Sequence, residues 1–310
     1  MLVFSTSDKG GSGRSVTSSN IAYRLCLQGY DVAYADFDFG SPTAGALFEI
    51  TAVQRGLPDN EDDSEVGLHR YLLGSYVGVA RFDVGATTDR SGLRYIGSNA
   101  GRLVLLPGDE GGAEFLTSDD VVVNRCARLL TELDQEFEIV VIDLSAGRSV
   151  ALEIALKTMA LEQLRDHVVR WLVFHRWTRQ HILAAAGLVY GPNGLVNTGV
   201  NYGHRREELL AAIRFVRTAV PAPNAHLGAR HGAQATWLQE QNAALKRLAT
   251  HNKLGLTSLL GATPIEQVLQ WREQIILDND VVANIAAQET VDAYNYLARR
   301  LMDNVAWERL

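Results

Sequence analysis

FSTSDKGGSGRSVTSSNIA, residues 4–22, sets the terms on which the rest of the chain is read. An apolar run, LVFST (residues 2–6), leads into Gly10, Gly11 and Gly13. A helical pattern over 15–28 follows, with Ile21, Ala22, Leu25 and Cys26 on one face and Gly29 as its stop. Glycines allow backbone turns that are closed to other residues. Their N–H groups can wrap an anion, and the helix N-terminus adds partial positive charge. Phosphate is the natural ligand of such a cradle.

The strict phosphate-loop pattern G-x-x-x-x-G-K-[ST] does not fit. Asp8 stands at the first glycine and Arg14 at the lysine, so only Gly13 and Ser15 match. A dinucleotide loop is the rival. Gly11-Ser12-Gly13 supplies G-x-G and Asp36 lies about twenty residues on, but Val16 stands where the third glycine belongs. A ligand-free glycine turn is the third reading. Three glycines around a basic residue, between a strand and a helix, argue against it.

Further strands are predicted at DVAYADFD (31–38), RLVLLPG (102–108), FEIVVIDLSAG (137–147), VVRWLVFHRW (168–177) and GLVNTGVN (194–201), with a helix over 121–133. Near-continuous apolar strands alternating with helices suit a doubly wound, mostly parallel α/β sheet with helices on both faces. We read residues 1–310 as a single domain of this kind. Segment 49–92 is an insertion or lies beside the site, with an acidic solvated loop at 57–67 and a short helix at 67–74. Residues 221–310 are expected to be mainly helical and packed on the same sheet.

The chain has 310 residues, 47% hydrophobic and 21% charged, an ordinary globular profile. A net charge of −7 argues against a whole-surface nucleic-acid binder. The basic clusters HRREE (204–208) and ALKRLATHNK (244–253) are diluted by nearby acids and read as solvated helix faces, so DNA is not an expected partner. Cys26 and Cys126, without a C-x-x-C, read as reduced and buried. The start lacks a secretory pattern, and no run reaches the ~18 apolar residues of a membrane span. A cytoplasmic location is expected.

Acids gather at the strand ends. Asp36 and Asp38 close the second strand, and four apolar residues run into Asp143 ahead of a small-residue loop ending at Gly147. In open α/β sheets ligands bind beyond the carboxyl ends of the strands. One phosphate-plus-magnesium site uses Lys9, Arg14, Asp36, Asp38 and Asp143. A dinucleotide site leaves Lys9, Asp38 and Asp143 without a role.

Lys9 to Ser15 resembles the deviant Walker A loop K-G-G-x-G-K-[ST] of the ParA/MinD family of partitioning and positioning ATPases (the SIMIBI class), departing from it at Arg14. The D-x-D of Asp36 and Asp38 and the D-x-x-x-G of Asp143 to Gly147 resemble that family's later motifs, in order. Phe39 and Gly40 stand where the family often has Pro-Gln. The resemblance covers residues 1 to about 201. GLHRYLLG, LLPGDEGGAEF and LVNTGVN resemble an actinobacterial variant P-loop branch. The resemblance implies a P-loop NTPase-like fold. It further implies ATP or ADP on Lys9, Gly10, Gly11, Ser12, Gly13, Arg14, Ser15 and Val16, with Asn197 at adenine and Asn201 as its competitor. Mg2+ would sit on Ser15, Asp36 and Asp143. Lys9 would act across a nucleotide-bridged homodimer, and Asp38 would orient the attacking water.

The implied function is a nucleotide-dependent dimerising switch with an unidentified protein partner. Arginine keeps the lysine's charge, but its guanidinium is broad and planar. Hydrolysis is therefore expected to be slow or absent, a weak ATPase at most. The alternatives are a non-hydrolysing nucleotide-binding scaffold and, more remotely, an NAD(P)-dependent oxidoreductase. His175 reads as a structural histidine. In the C-terminal stretch 293–310, Leu297, Leu301, Val305 and Leu310 lie on one side, with Arg299, Arg300 and Arg309 elsewhere. MinD-like proteins lay such a helix on a membrane; a packed terminal helix is the expectation here.

Overall fold

Leu2, Val3 and Phe4 are all fully buried, although alternate residues of a strand face opposite ways. Both faces of β1 (Leu2–Thr6) must therefore be covered, and they are. Leu2 and Phe4 pack into a core with Val140, Ile142 and Leu144. Val3 packs into a second core with Ile139, Val141 and Leu297. Phe4 stacks on Trp171 with ring centroids 4.5 Å apart.

The computed structural model describes residues 1–59, 65–74, 78–94, 97, 99–115, 117–221 and 232–308. The remaining strands among them are β2 (Val32–Phe37), β3 (Glu65–Val66), β4 (Gly78–Val79), β5 (Phe82–Asp83), β6 (Leu103–Leu106), β7 (Ile139–Leu144), β8 (Val169–Arg176), β9 (Ile213–Val220) and β10 (Leu259–Pro264). Eight of these form one sheet in the order β10-β9-β8-β1-β7-β2-β6-β5. All its pairings are parallel except that of β5 with β6. β3 and β4 make a small parallel pair of their own. Helices Asp120–Glu136, Val150–Met159 and Arg179–Tyr190 belong to the first core, and helices Arg14–Leu27 and Gln288–Met302 to the second. The sheet is thus doubly wound, in a P-loop NTPase-like α/β fold.

Two expectations are corrected. GLVNTGVN is not a strand: Leu195–Asn201 is a helix behind the N-cap Gly194. The late strand is Ile213–Val220, whose Arg214 and Arg217 break the apolar run that would announce it. Both arginines are nonetheless buried. Arg217 lies over the Trp177 ring and donates to the Leu254 carbonyl, while Arg214 donates to the carbonyls of Ala306 and Ala211. The region after Pro221 is largely helical but also supplies β10, which extends the sheet beyond β9.

The expected helix within 67–74 is present as Leu68–Leu73. The acidic loop before it lies partly outside the described residues, as do Arg309 and Leu310. The terminal helix Gln288–Met302 buries Val291, Tyr294, Leu297, Ala298 and Leu301, packing on β10 and on helix Arg14–Leu27. Trp307 is also buried, its indole N–H on the Leu301 carbonyl. Of the apolar stripe considered for a membrane, Leu297 and Leu301 are spent on the chain's own core, while Val305 is exposed. No helix among the described residues is long and apolar enough to cross a membrane. Cys26 and Cys126 are free thiols in the core.

Candidate functional site

The loop between β1 and helix Arg14–Leu27 opens at the carboxyl edge of the sheet. Gly11 and Gly13 have φ of +66° and +75°, in the left-handed region that favours glycine. Gly13 is the helix N-cap, and the first turn leaves its N–H groups without helical partners. Among the described residues, no hydrogen bond takes up the N–H groups of Gly10 to Val16. A cavity of about 150 Å³ lies against this loop, lined by Ser7, Gly10 to Val16, Asp38, Thr43, Ala146 and Glu273. Open amides around a small cavity at a helix N-terminus are what an oxyanion needs.

Arg14 does not point into the open. Its side chain is 6% exposed, with Nε 2.6 Å from Asp143 Oδ1 and one Nη 2.9 Å from Asp38 Oδ2. The same Nη lies 3.2 Å from the Ser15 hydroxyl. Burial alone would lower the guanidinium's pKa, but the charges of Asp143 and Asp38 outweigh it and hold it above its ordinary value. Sheet register explains the meeting. β7 lies between β1 and β2, setting Asp143 opposite Ser5 on one side and Asp36 on the other. In the dinucleotide fold the second strand lies directly beside the first. The inserted β7 removes the structural support for the oxidoreductase alternative.

Asp36 is buried but pairs with no cation among the described residues. Its carboxylate accepts from the backbone N–H groups of Asp38 (3.2 Å), Thr43 (3.0 Å) and Ala44 (2.9 Å). Burial pushes its pKa up to about 7, against the pull of those hydrogen bonds and with help from the neighbouring charges of Asp143 and Asp38. Asp36 therefore shapes the turn after β2. Lys9 is exposed and forms no ion pair among the described residues.

Magnesium needs several oxygen ligands in near-octahedral array. Of the three residues expected to hold it, Ser15 and Asp143 are engaged by Arg14, and Asp36 is engaged by backbone. Among the described residues no three His, Cys, Asp or Glu side chains group as a metal site. The side chains present do not fit the ion: a guanidinium fills the position between the acids.

Asn197 is not brought to the loop. It sits on helix Leu195–Asn201, with Nδ2 on the Gly191 carbonyl and Oδ1 accepting from Arg206. Arg206 borders a different cavity, beside Ile213 and Arg214 at the amino end of β9 and Ser258 just before β10. That is the opposite edge of the sheet. His175 is buried in β8, with Nδ1 3.2 Å from the Arg176 carbonyl and Nε2 unpaired. Burial lowers its pKa to about 4, so it is neutral and structural.

Sequence reasoning missed the neighbouring cavity of about 290 Å³. The loop's Gly11, Gly13, Val16 and Thr17 form one wall, and Arg176, Thr218, Pro264, Glu266, Gln270 and Glu273 are among those opposite. Thr218 Oγ1 donates to the Ser12 carbonyl, which ties β9 to the loop. The unread strand β10, LLGATP, was the sequence feature that would have pointed here. A second omission is Arg148, which donates to Asp8 at 2.8 Å while Gly147 N–H donates to the Ser7 carbonyl at 2.7 Å. These contacts dock the loop after β7 onto the glycine loop. Asp8, out of place in the standard pattern, has its partner there.

GLHRYLLG and LLPGDEGGAEF also meet. Asp109 accepts from the N–H groups of Gly67 and Arg70, each at 3.0 Å, and pairs with the Arg70 side chain. His69 and Phe115 then pack with Phe39, next to Asp38.

No family model matches the sequence, and no curated protein matches it significantly. Solved structures do resemble it. The MinD cell division protein of Aquifex aeolicus is similar at TM-score 0.58 and 14% identity, over 97% of this chain and 96% of that one. A putative plasmid partition protein of Borrelia burgdorferi B31, bound to AMPPNP, is similar at TM-score 0.56 and 15% identity, over 97% and 98%. The MinD protein of Pyrococcus horikoshii OT3 complexed with Mg-ADP gives 0.52 and 14%, over 98% of both chains. At these identities the likeness establishes the fold: that of MinD and ParA ATPases, across nearly the full chain.

Proposed function

We propose that the chain binds ATP or ADP on the glycine loop and acts as a MinD/ParA-like, nucleotide-dependent dimerising switch whose hydrolysis is slow or absent. The observation behind the proposal is the pairing of Arg14 with Asp38 and Asp143 beneath a set of open backbone amides. The amides from Gly10 to Val16 hold the phosphates, and Arg176 and Thr218 border the adjoining cavity where a nucleoside fits. Phosphoryl transfer depends on positioned charge. Here the charge that should sit at the phosphates is turned toward two acids, and Asp38 is held by Arg14 rather than by water. Lys9, which is exposed, would contact a phosphate of a second copy.

The same pairing favours a second reading, a scaffold that keeps nucleotide without turning it over. Single-turnover hydrolysis compares the native chain with Arg14→Lys. A lysine cannot hold both acids in one plane, so the variant is expected to be faster, by ~100-fold or more if a single donor is restored. Equal rates would remove the role given to Arg14. Light scattering with and without ATP separates the two readings: a dimer only with ATP supports the switch, and an unchanged mass with bound nucleotide supports the scaffold.

A further inference from the structure

Two side chains expected at a divalent ion, Asp143 and Ser15, and the Asp38 expected to orient water all face one guanidinium instead. Asp143 takes Nε at 2.6 Å, Asp38 takes an Nη at 2.9 Å, and the Ser15 hydroxyl lies 3.2 Å from that same Nη. The pairing is internal, with Arg14 and Asp143 side chains only 6% and 3% exposed. Arginine suits this task. Its planar donors reach two separate carboxylates at once, and it stays charged at any physiological pH. A metal entering here would have to separate Arg14 from both acids and strand a buried charge, which is strongly unfavourable.

We propose that Arg14 is a built-in substitute for the divalent ion, so that this chain binds nucleoside polyphosphates without a requirement for magnesium. Two unpaired carboxylates at the mouth of the loop would repel a polyphosphate. Arg14 offsets one of those charges and fixes both acids in place. The amides of Gly10 to Val16, the helix N-terminus and Lys9 then supply the attraction. In this arrangement the metal adds little to binding. The proposal rests on the nucleotide reading above, but it can fail separately from it.

Titration calorimetry of the full chain with ATP and with ADP, in EDTA and in Mg2+, is the test. The native chain is expected to give dissociation constants within about twofold of each other in the two buffers. Arg14→Lys should bind at least ~tenfold more tightly with Mg2+, a change of about 1.4 kcal/mol. A native affinity that rises ~tenfold or more on adding Mg2+ would overturn the substitution of arginine for metal. Heat in neither buffer would overturn the nucleotide reading itself. The metal part is then judged with Mn2+ alone, by electron paramagnetic resonance on the native chain and on Arg14→Ala, whose fold is checked by circular dichroism. Mn2+ that stays free with the native chain but is immobilised by Arg14→Ala upholds arginine as the stand-in for the metal, and Mn2+ immobilised by the native chain, or by neither protein, refutes it.

Discussion

Asp36 accepts three backbone hydrogen bonds and pairs with no cation among the described residues, and this gives it a measurable signature. Its carboxyl titrates at about 7 in the folded chain, against an ordinary value of 3.8, because burial disfavours the charged form. The folded state therefore holds the proton more tightly than the unfolded one. The resulting stabilisation is complete below about pH 4, declines as the pH rises toward about 7, and changes no further above that. Asp36→Asn cannot titrate, so the native-minus-variant difference in melting temperature should fall through this window. A difference constant from pH 4 to pH 7 would show that the carboxyl is ordinary. Asp36 also shows what the sequence could not reveal. The glycines of the loop and the D-x-D spacing are local features, and local features can be read. The link from Arg14 to Asp143 spans 129 residues and depends on β7 entering between β1 and β2. Residue types alone assign those acids to a metal; only packing shows them paired with an arginine.

Asp109 joins two segments whose chemistry is unremarkable when each is read alone. It holds the N-terminus of helix Leu68–Leu73 through Gly67 and Arg70 and pairs with the Arg70 guanidinium. Gly67 has no room for a side chain, since an added Cβ would lie 2.5 Å from the Asp109 carboxyl carbon. Replacing Asp109 by Ala should cost about 2 kcal/mol in urea unfolding, because it leaves the Gly67 and Arg70 amides without their acceptor and takes one partner from the Arg70 guanidinium, which keeps Asp59 and the Pro58 carbonyl. A loss below about 1 kcal/mol would mean that the aromatic contacts of His69 and Phe115 hold the segment unaided. Strands were legible where their residues were apolar, as in β1, β2, β6, β7 and β8. β9 was hidden because its buried Arg214 and Arg217 donate to carbonyls, with Arg217 also over the Trp177 ring, an arrangement invisible in one dimension. Residues 195–201 misled in the opposite direction. Short apolar runs fit either period, and Gly194 as N-cap with Gly203 in the left-handed region (φ +104°) settles them as helix.

The C-terminal third of the chain completes the site rather than standing apart from it. Pro264, Glu266, Leu269, Gln270 and Glu273 line the larger cavity, Glu273 reaches the smaller one as well, and the stretch that follows is pinned to helix Arg14–Leu27. Asn20 donates to the carbonyls of Val16 (2.8 Å) and Gln274 (3.1 Å) and accepts from Ile276 N–H at 2.8 Å. Arg24 adds bonds to the Ile276 carbonyl and to Asp278. Asn20→Ala should lower global stability by about 2 kcal/mol and speed hydrogen exchange at the Ile276 amide. Lost stability with unchanged exchange at Ile276 would show that the pinning lies elsewhere. This dependence spans 256 residues of sequence and has no local trace, which is why this region could be read only as helices packed on the sheet.

Trp271 follows Gln270 in sequence and comes two residues before Glu273, both of which line the larger cavity, and it is 90% exposed. Trp171, Trp177 and Trp307 are deeply buried, leaving Trp237 as the other indole open to water. The chain thus comes with an optical reporter at the rim of its cavities. An aqueous quencher reaches Trp271 easily while the rim is bare, and anything that settles over it should dim that access without any dye being attached.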